Sequence, residues 1–249
     1  MNYIFFPFKA IGYLAYYTCI MLYYLLYSLY YTWRIRWLEK RRGEEAAAVY
    51  ARSKGVEISR RSYLWFGMKP EIDGFENLPK DRGYMIASSH LSAVGASFVY
   101  SYIAPEAFFL VKKEIASYPI VGVLAKRMAV FIDRDDPRQA VYALRAALDL
   151  LRKGHILALF PEGTRSLDGR IGPFAKGSLR IAMMTKSLIV PLVITGNENI
   201  MPKGTVFIKR AKVKARILPP VDASLYKSEE ELVDVVRGGM IEALKELVE

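Results

Sequence analysis

From about residue 60 onward the sequence alternates short apolar runs with amphipathic segments, and this alternation limits the fold more than any other feature of the chain. Strands separated by helices build a largely parallel sheet with helices packed on its faces, so we expect an α/β domain. The apolar runs predict strands at 84–87, 107–111, 128–132, 155–160 and 189–194, with a later strand or strand pair within 207–218. Helices are predicted at 137–153, 175–185 and 229–248.

The helix at 137–153 has the clearest boundaries. Pro137 suits a first helical turn, and Gly154 is a typical stop. Its expected apolar face carries Val141, Leu144, Leu148 and Leu151.

A different pattern occupies the N-terminal part of the chain, where residues 10–33 carry no charge. These 24 residues are long enough to cross a bilayer as a helix. Tyrosines, however, occur along the whole segment rather than only near its ends: Tyr13, Tyr16, Tyr17, Tyr23, Tyr24, Tyr27, Tyr30 and Tyr31. A helix that lies in the membrane interface, or one whose tyrosine face packs on a second element, fits this distribution better than a lone span. A spanning helix stays open as the alternative.

A basic cluster follows directly: Arg34, Arg36, Lys40, Arg41 and Arg42, with Trp33 and Trp37 among them. Together with the net charge of +11, it predicts an anionic membrane surface as a partner. Nucleic acid would account for the charge but not for the apolar segment, so we do not expect it as a partner. We expect a membrane-associated helical segment at 1–58 and an α/β domain at 59–249. If the segment spans the bilayer, the positive-inside rule places everything after it in the cytoplasm, so we expect the domain at the cytoplasmic face of the cell membrane.

Several chemically active side chains follow the predicted strands. His90 comes after the first, Lys112 after the second, Arg134 after the third, and the segment 161–165 after the fourth. Ligands bind beyond the carboxyl ends of strands in such sheets. A base among cations suits a phosphate-bearing substrate whose hydroxyl must lose a proton. The other histidine, His155, lies at the entry of a predicted buried strand, which favours a structural role.

The same residues carry a family resemblance. The segment 90–95, His-Leu-Ser-Ala-Val-Gly, resembles the H-x-S-x-x-D box of the glycerolipid acyltransferases. The segments 131–134 (Phe-Ile-Asp-Arg), 160–166 (Phe-Pro-Glu-Gly-Thr-Arg-Ser) and 189–192 (Ile-Val-Pro-Leu) are similar to the later blocks, in family order. Upstream, 73–79 resembles the family's G-x-E-N-L-P lead-in. On this resemblance, the chain is identified as a member of the PlsC-type 1-acylglycerol-3-phosphate acyltransferases.

The resemblance implies transfer of a fatty acyl group from acyl-ACP or acyl-CoA to the 2-hydroxyl of lysophosphatidic acid, which gives phosphatidic acid. It implies His90 as general base and no cofactor beyond the thioester cosubstrate. It places Glu162, Gly163, Thr164 and Arg165 in the glycerol-phosphate pocket, with Arg165 on the phosphate and Glu162 ordering the loop or the hydroxyls. Arg134 and Lys112 are either further phosphate contacts or ordinary exposed charges.

Two other kinds of chemistry have little support in the sequence. Ser88, Ser89 and Ser92 are expected to be loop or capping residues rather than acyl carriers. The two histidines and the scattered carboxylates match no metal-ligand spacing, so no metal is expected.

One position departs from the family pattern: Gly95 stands where the box ends in aspartate. A carboxylate there would accept the second imidazole N–H and stabilise the imidazolium. In the Ser-His-Asp triad, conversion of the aspartate that has this role to its amide lowers turnover about 10⁴-fold. Gly95 therefore impairs the chain, or another acid orients His90, or the chain is a non-catalytic relative that binds lipid. Acylation of another lysolipid or of glycerol-3-phosphate is a further alternative.

Overall fold

The structure, a computed structural model, describes residues 5–65, 68–92, 94–118, 122, 125–133, 135–166, 168–200 and 210–249. It divides into two compact units, one ending at Ala51 and one spanning Arg52–Glu249. The domain division expected after residue 58 stays a prediction.

The larger unit is built on an eight-stranded sheet, which confirms the expected α/β class with a mostly parallel sheet. The strand order is β1-β7-β6-β2-β5-β3-β4, and β8 pairs with β6 beside this path. Pairing is parallel except where β6 meets β7 and β8. The strands are β1 Glu71–Asp73, β2 Tyr84–Ser88, β3 Phe108–Lys112, β4 Ala129–Ile132, β5 Leu157–Leu159, β6 Leu188–Thr195, β7 Lys214–Ile217 and β8 Val221–Asp222.

The helices are α1 Phe5–Arg42, α2 Glu44–Trp65, α3 Gly95–Phe98, α4 Pro137–Arg152, α5 Arg180–Thr185 and α6 Glu229–Val248. A π-helical turn, Val99–Ile103, continues α3. Short 3₁₀ turns lie at Phe75–Asn77, Lys113–Ser117, Asn197–Asn199 and Ala223–Leu225.

Two of the three predicted helices are confirmed in extent, and the third is shorter than expected. α4 begins at Pro137, and Gly154 follows its end with φ of +82°. α5 begins at Arg180 rather than at residue 175, because Gly177 has φ of +85° and interrupts any earlier helical turn. On α4 the expected apolar face is partly wrong: Val141 is exposed, and the buried residues are Ala143, Ala147, Leu148 and Leu151.

Helices cover both faces of the sheet, and β2 shows how the core is divided between them. Tyr84 and Ile86 of β2 belong to a core cluster that also holds Phe98. The intervening Met85 and Ala87 belong to a second cluster with residues of α4 and α6. Since successive side chains of a strand point to opposite faces, β2 is buried on both sides.

At the edge of the sheet beyond β6, the prediction of a strand or strand pair within 207–218 is only partly fulfilled. β7 starts at Lys214, and residues 201–209 lie outside the described part of the chain. The sequence pattern gave no sign of β1 and β8. Both strands are very short, and neither has the fully buried run of β2.

In the smaller unit, part of the tyrosine face of α1 packs on a second helix. The Tyr31 ring is buried and stacks on Tyr50 of α2, with ring centroids 5.7 Å apart. Tyr27 donates a hydrogen bond of 2.9 Å to the Tyr31 hydroxyl. Tyr16 and Tyr30 are exposed, as are apolar side chains along the same helix: Leu14, Met21, Leu22, Leu25, Leu26 and Leu29. Among the described helices, none combines the length and the apolar character needed to cross a membrane.

Candidate active site

A cavity of about 750 Å³ opens at the edge where the parallel strands β2, β3 and β5 end. His90, two residues beyond β2, lines it together with Phe160, which follows β5. Three cations also line it: Lys112, Arg165 and Lys176. The remaining wall is largely apolar and includes Leu110, Ile115, Ile132, Leu144, Leu159 and Ile181. The structure thus brings His90, Lys112, Gly163 and Arg165 to one cavity.

The main chain of His90 is held from two sides by the segment that follows β5. Its N–H donates to Glu162 Oε1 at 2.8 Å, and its carbonyl oxygen accepts the Ser166 N–H at 2.9 Å. The imidazole stacks on the Phe160 ring, with centroids 4.3 Å apart and planes tilted by 28°. These contacts fix both the position of the residue and the plane of its ring.

Glu162 connects the loop after β2, which carries His90, with the segment after β5, which carries Gly172. Its Oε1 accepts the His90 N–H and its Oε2 accepts the Gly172 N–H at 2.9 Å. Burial raises the pKa of its carboxyl group, while the two main-chain N–H groups and the Arg237 guanidinium act in the opposite direction. The turn itself depends on Gly163, which has φ of +72° in the left-handed region that favours glycine.

The cations of the cavity are available for an anionic ligand. Lys112, Arg165 and Lys176 are exposed, and none forms an ion pair with another residue of the described chain. The neighbouring Lys113 is engaged differently: it contacts Asp133 at 2.5 Å, and this hydrogen bond holds the pKa of the Asp133 carboxyl below its usual range. Three positive charges beside an imidazole suit a phosphate-bearing ligand.

The other predicted site residues lie as follows. Thr164 is exposed on the same turn but does not line the cavity, and Glu162 reaches His90 from behind the cavity wall. Arg134 lies outside the described residues. His155 is exposed and precedes β5, where its ring meets the edge of Phe108 with centroids 5.4 Å apart. His155 lies far from His90 in the sequence and does not line the cavity.

The three serines near His90 are buried and bonded to main chain. Ser89 Oγ accepts the Ile194 N–H at 2.9 Å, and Ser92 Oγ donates to the Asn197 carbonyl oxygen at 2.9 Å. Ser88 lies 1% exposed at the end of β2. The hydroxyls of Ser89 and Ser92 thereby join the loop after β2 to β6 and the turn that follows it.

Gly95 is buried at the start of α3, where the chain has room for a side chain. A Cβ at this position would lie 3.4 Å from Phe160 Cε1 and 3.9 Å from Asn197 Nδ2, which are ordinary van der Waals distances. The Phe160 ring is the one that stacks on His90. Position 95 can therefore accept a Cβ beside the buried Asn197 side chain and the ring on which His90 stacks.

Sequence reasoning missed two residues of the cavity, Phe160 and Lys176. Phe160 ends the strand predicted at 155–160 and begins the motif 160–166, and neither pattern indicates that its ring stacks on His90. Lys176 had no signal, because it follows no strand and its place depends on how the segment 160–179 folds back over the sheet edge.

Comparisons with known proteins agree on one family. A sequence model of the Acyltransferase family matches residues 69–195. A 1-acyl-sn-glycerol-3-phosphate acyltransferase of Borreliella burgdorferi is 30% identical over 188 residues, which cover 73% of this chain and 74% of that protein. The crystal structure of the 1-acyl-sn-glycerophosphate (LPA) acyltransferase PlsC from Thermotoga maritima superposes with a TM-score of 0.74. That protein is 31% identical, and the match covers 90% of this chain and 95% of the other.

Plant relatives match over a smaller share of their length. The 1-acyl-sn-glycerol-3-phosphate acyltransferase of Limnanthes alba is 34% identical over 163 residues, 64% of this chain and 57% of that protein. A chloroplastic relative from Arabidopsis thaliana is 36% identical over 159 residues, and the match covers 44% of its length. The chain thus spans about half the length of these plant relatives.

Proposed function

This chain belongs to the PlsC-type 1-acyl-sn-glycerol-3-phosphate acyltransferase family. On that premise, we propose that it moves a fatty acyl group from acyl-ACP or acyl-CoA to the 2-hydroxyl of lysophosphatidic acid and thereby forms phosphatidic acid. The observation that carries the proposal is a cavity that combines an imidazole, three exposed cations and an apolar wall.

His90 is the general base of the proposed reaction. Its imidazole accepts the proton of the 2-hydroxyl while that oxygen attacks the thioester carbonyl carbon. The carbon–sulfur bond then breaks, and the leaving thiolate takes the proton back from the imidazolium. No covalent enzyme intermediate is needed. An imidazole titrates near neutral pH, which suits both the removal and the return of the proton.

The cavity wall supplies binding at both ends of the substrates. Lys112, Arg165 and Lys176 bind the acceptor's phosphate, and the guanidinium of Arg165 can make two parallel hydrogen bonds to it. The apolar side chains, among them Ile132 of β4 and Leu144 of α4, receive the hydrocarbon of the acyl group. Glu162 binds no substrate in this scheme, since both its oxygens hold main-chain N–H groups.

A thioester-release assay with lysophosphatidic acid tests this function. The wild-type chain should release thiol and form phosphatidic acid, and His90→Ala should abolish both. His155→Ala is the matched control, because it removes the only other histidine and should leave turnover unchanged. Equal turnover in wild type and His90→Ala would contradict the proposal.

A second candidate function rests on Gly95. Without the family's carboxylate at that position, the chain could bind lysophosphatidic acid in the same cavity and release no product. Binding at the affinity of an active relative, with no thiol released even at high protein concentration, would favour this reading.

We further propose that the N-terminal unit lies in the interface of an anionic membrane, at the cytoplasmic face. Support comes from the exposed apolar side chains of α1 and from the cations after Trp33. Arg34 lies over the Trp37 ring at 4.3 Å, whereas Arg36, Lys40, Arg41 and Arg42 are exposed. A helix with exposed apolar side chains and such a basic end binds by burying apolar surface while its charges meet anionic headgroups.

A further inference from the structure

The C-terminal helix α6 lies beyond the residues matched by the family model, yet two of its side chains hold the segment 160–179 that walls the cavity. Glu229 accepts the Gly177 N–H at 3.1 Å and the Leu179 N–H at 3.2 Å. Two turns further along, Arg237 donates from Nε to the Gly172 carbonyl oxygen at 2.7 Å and from Nη2 to the Ile171 carbonyl oxygen at 3.1 Å.

The second of these contacts leads by hydrogen bonds to His90. Arg237 holds the carbonyl of Gly172, and the N–H of Gly172 donates to Glu162 Oε2 at 2.9 Å. The other oxygen of Glu162 accepts the N–H of His90 at 2.8 Å. Gly172 suits its place in this path, because a Cβ there would lie only 3.2 Å from Glu162 Oε2.

We propose that Arg237 is a positioning residue for His90, acting through Gly172 and Glu162. The role of the positioned imidazole as a base rests on the proposed function, but the positioning itself can be measured without turnover. Arg237 does not line the cavity, and its hydrogen bonds go to the main chain of Ile171 and Gly172, so its effect on catalysis would pass through this segment.

The positive charge of Arg237 also supports the hydrogen bonds that lead through Glu162 to His90. Burial and the nearby Asp168 raise the pKa of the Glu162 carboxyl, and the Arg237 guanidinium on α6 lowers it, as do the N–H groups of His90 and Gly172. An ionised Glu162 can accept both N–H groups, whereas a protonated carboxyl has one oxygen committed as a donor. Removal of Arg237 therefore loosens the loop and also favours the protonated form of Glu162.

The His90 amide signal in an NMR spectrum reports this path directly. Selective ¹⁵N-histidine labelling gives two main-chain signals, because the chain holds only His90 and His155. The His90 signal should move as Glu162 titrates, and in Arg237→Gln or Arg237→Met its midpoint should rise, because the cation that lowers the pKa of the Glu162 carboxyl is gone. Glu162→Gln should abolish this titration, and that loss would assign the titration to the Glu162 carboxyl. The His155 amide donates to the Leu150 carbonyl and serves as the internal reference.

Lys245→Gln is the matched control, since it removes an exposed cation of the same helix whose ion pair is with the exposed Glu242. It should leave the His90 midpoint unchanged. An unchanged midpoint in a folded Arg237→Gln or Arg237→Met would overturn the proposal. Failure of both variants to fold would also overturn it, because Arg237 would then act on the whole domain rather than on His90.

In steady-state kinetics, loss of the Arg237 guanidinium should lower kcat with little change in KM for lysophosphatidic acid. We expect kcat to fall roughly 10- to 100-fold in Arg237→Gln, since small displacements of a catalytic group cost this much. Absence of thioester release from the wild-type chain would count against the proposed function alone, because the amide titration still decides the role of Arg237.

Discussion

Gly95 lies against the ring on which His90 stacks, and a Cβ at this position would make ordinary van der Waals contacts. Phe160 Cε1 and Asn197 Nδ2 approach the position of a Cβ at 3.4 and 3.9 Å. Asn197 is 1% exposed, so its amide would meet a carboxylate at position 95 away from bulk water. The surroundings of Gly95 therefore remain compatible with the aspartate of the family box.

We predict that Gly95→Asp raises acylation of lysophosphatidic acid by orders of magnitude. The new carboxylate would accept an imidazole N–H and stabilise the imidazolium during attack, an effect of about 10⁴-fold in the Ser-His-Asp triad. Thiol release under saturating lysophosphatidic acid measures the change. Gly95→Ala is the control, because it adds the Cβ without the charge and should leave turnover unchanged.

Two results would speak against this account of Gly95. Turnover that stays constant in Gly95→Asp while His90→Ala is inactive would indicate that another acid orients His90. An equal gain in Gly95→Ala would instead assign the effect to the flexibility of glycine rather than to the carboxylate.

Single residues also show how far the sequence could define the site. His90, Lys112 and Arg165 could be placed at one edge from strand order alone, because parallel strands end together. Phe160 as a stacking partner and Lys176 as a third cation depend on how the segment 160–179 folds back. Arg237 is 75 residues beyond Glu162 in the chain, and no local pattern connects them.

At the scale of single elements, the strength of a local signal decided which predictions were correct. α4 has a proline at its first turn, a capping Asp136 and a glycine after its end, and its extent is confirmed. α5 begins later than predicted because Gly177 has a positive φ, which the sequence pattern does not reveal. β1 pairs in register with β7 across more than 140 residues of sequence, so its formation depends on tertiary pairing.

The cap of α4 gives a prediction for stability. Asp136 accepts the N–H groups of Arg138 and Gln139 at 2.9 and 3.4 Å. Asp136→Ala leaves these N–H groups to water and should lower the free energy of unfolding by about 1 kcal/mol. Chemical denaturation monitored by circular dichroism measures the loss. α4 also supplies Ala140 and Leu144 to the cavity wall, so fraying of its first turn would reach the apolar side of the site.

Asp149→Ala is the matched control on the same helix. Asp149 is exposed, and its contact with Arg152 spans 3.8 Å, a surface ion pair of little energetic weight. The unfolding free energy of this variant should differ from that of wild type by only a few tenths of a kcal/mol. If the two variants lose the same stability, the cap does not hold the helix as described.

At the scale of the whole molecule, the net charge of +11 can attract an anionic surface through its total or through the places where the cations lie. Four exposed cations, Arg36, Lys40, Arg41 and Arg42, follow the apolar part of α1 and define the basic end of that helix. The cavity holds three more, which the proposed function assigns to the acceptor's phosphate. Under the proposed function, these separate sets of charges would meet two anionic surfaces, a membrane and a substrate headgroup.

Two variants of equal net charge separate these possibilities. The first replaces Arg36, Lys40, Arg41 and Arg42 by glutamine, and the second replaces the exposed Arg152, Lys153, Lys227 and Lys245; each lowers the net charge from +11 to +7 (11 − 4). Near an anionic surface each cation contributes about 1 kcal/mol, so the first variant should lose at least about 100-fold in affinity for anionic vesicles. The second should lose far less, because its cations lie outside the basic end of α1.

Co-flotation with anionic and with neutral vesicles, at low and at high salt, measures the affinity of both variants. Equal losses in the two variants would mean that total charge, rather than the basic end of α1, draws the protein to the membrane, and the interfacial placement of the N-terminal unit would then lack its electrostatic support.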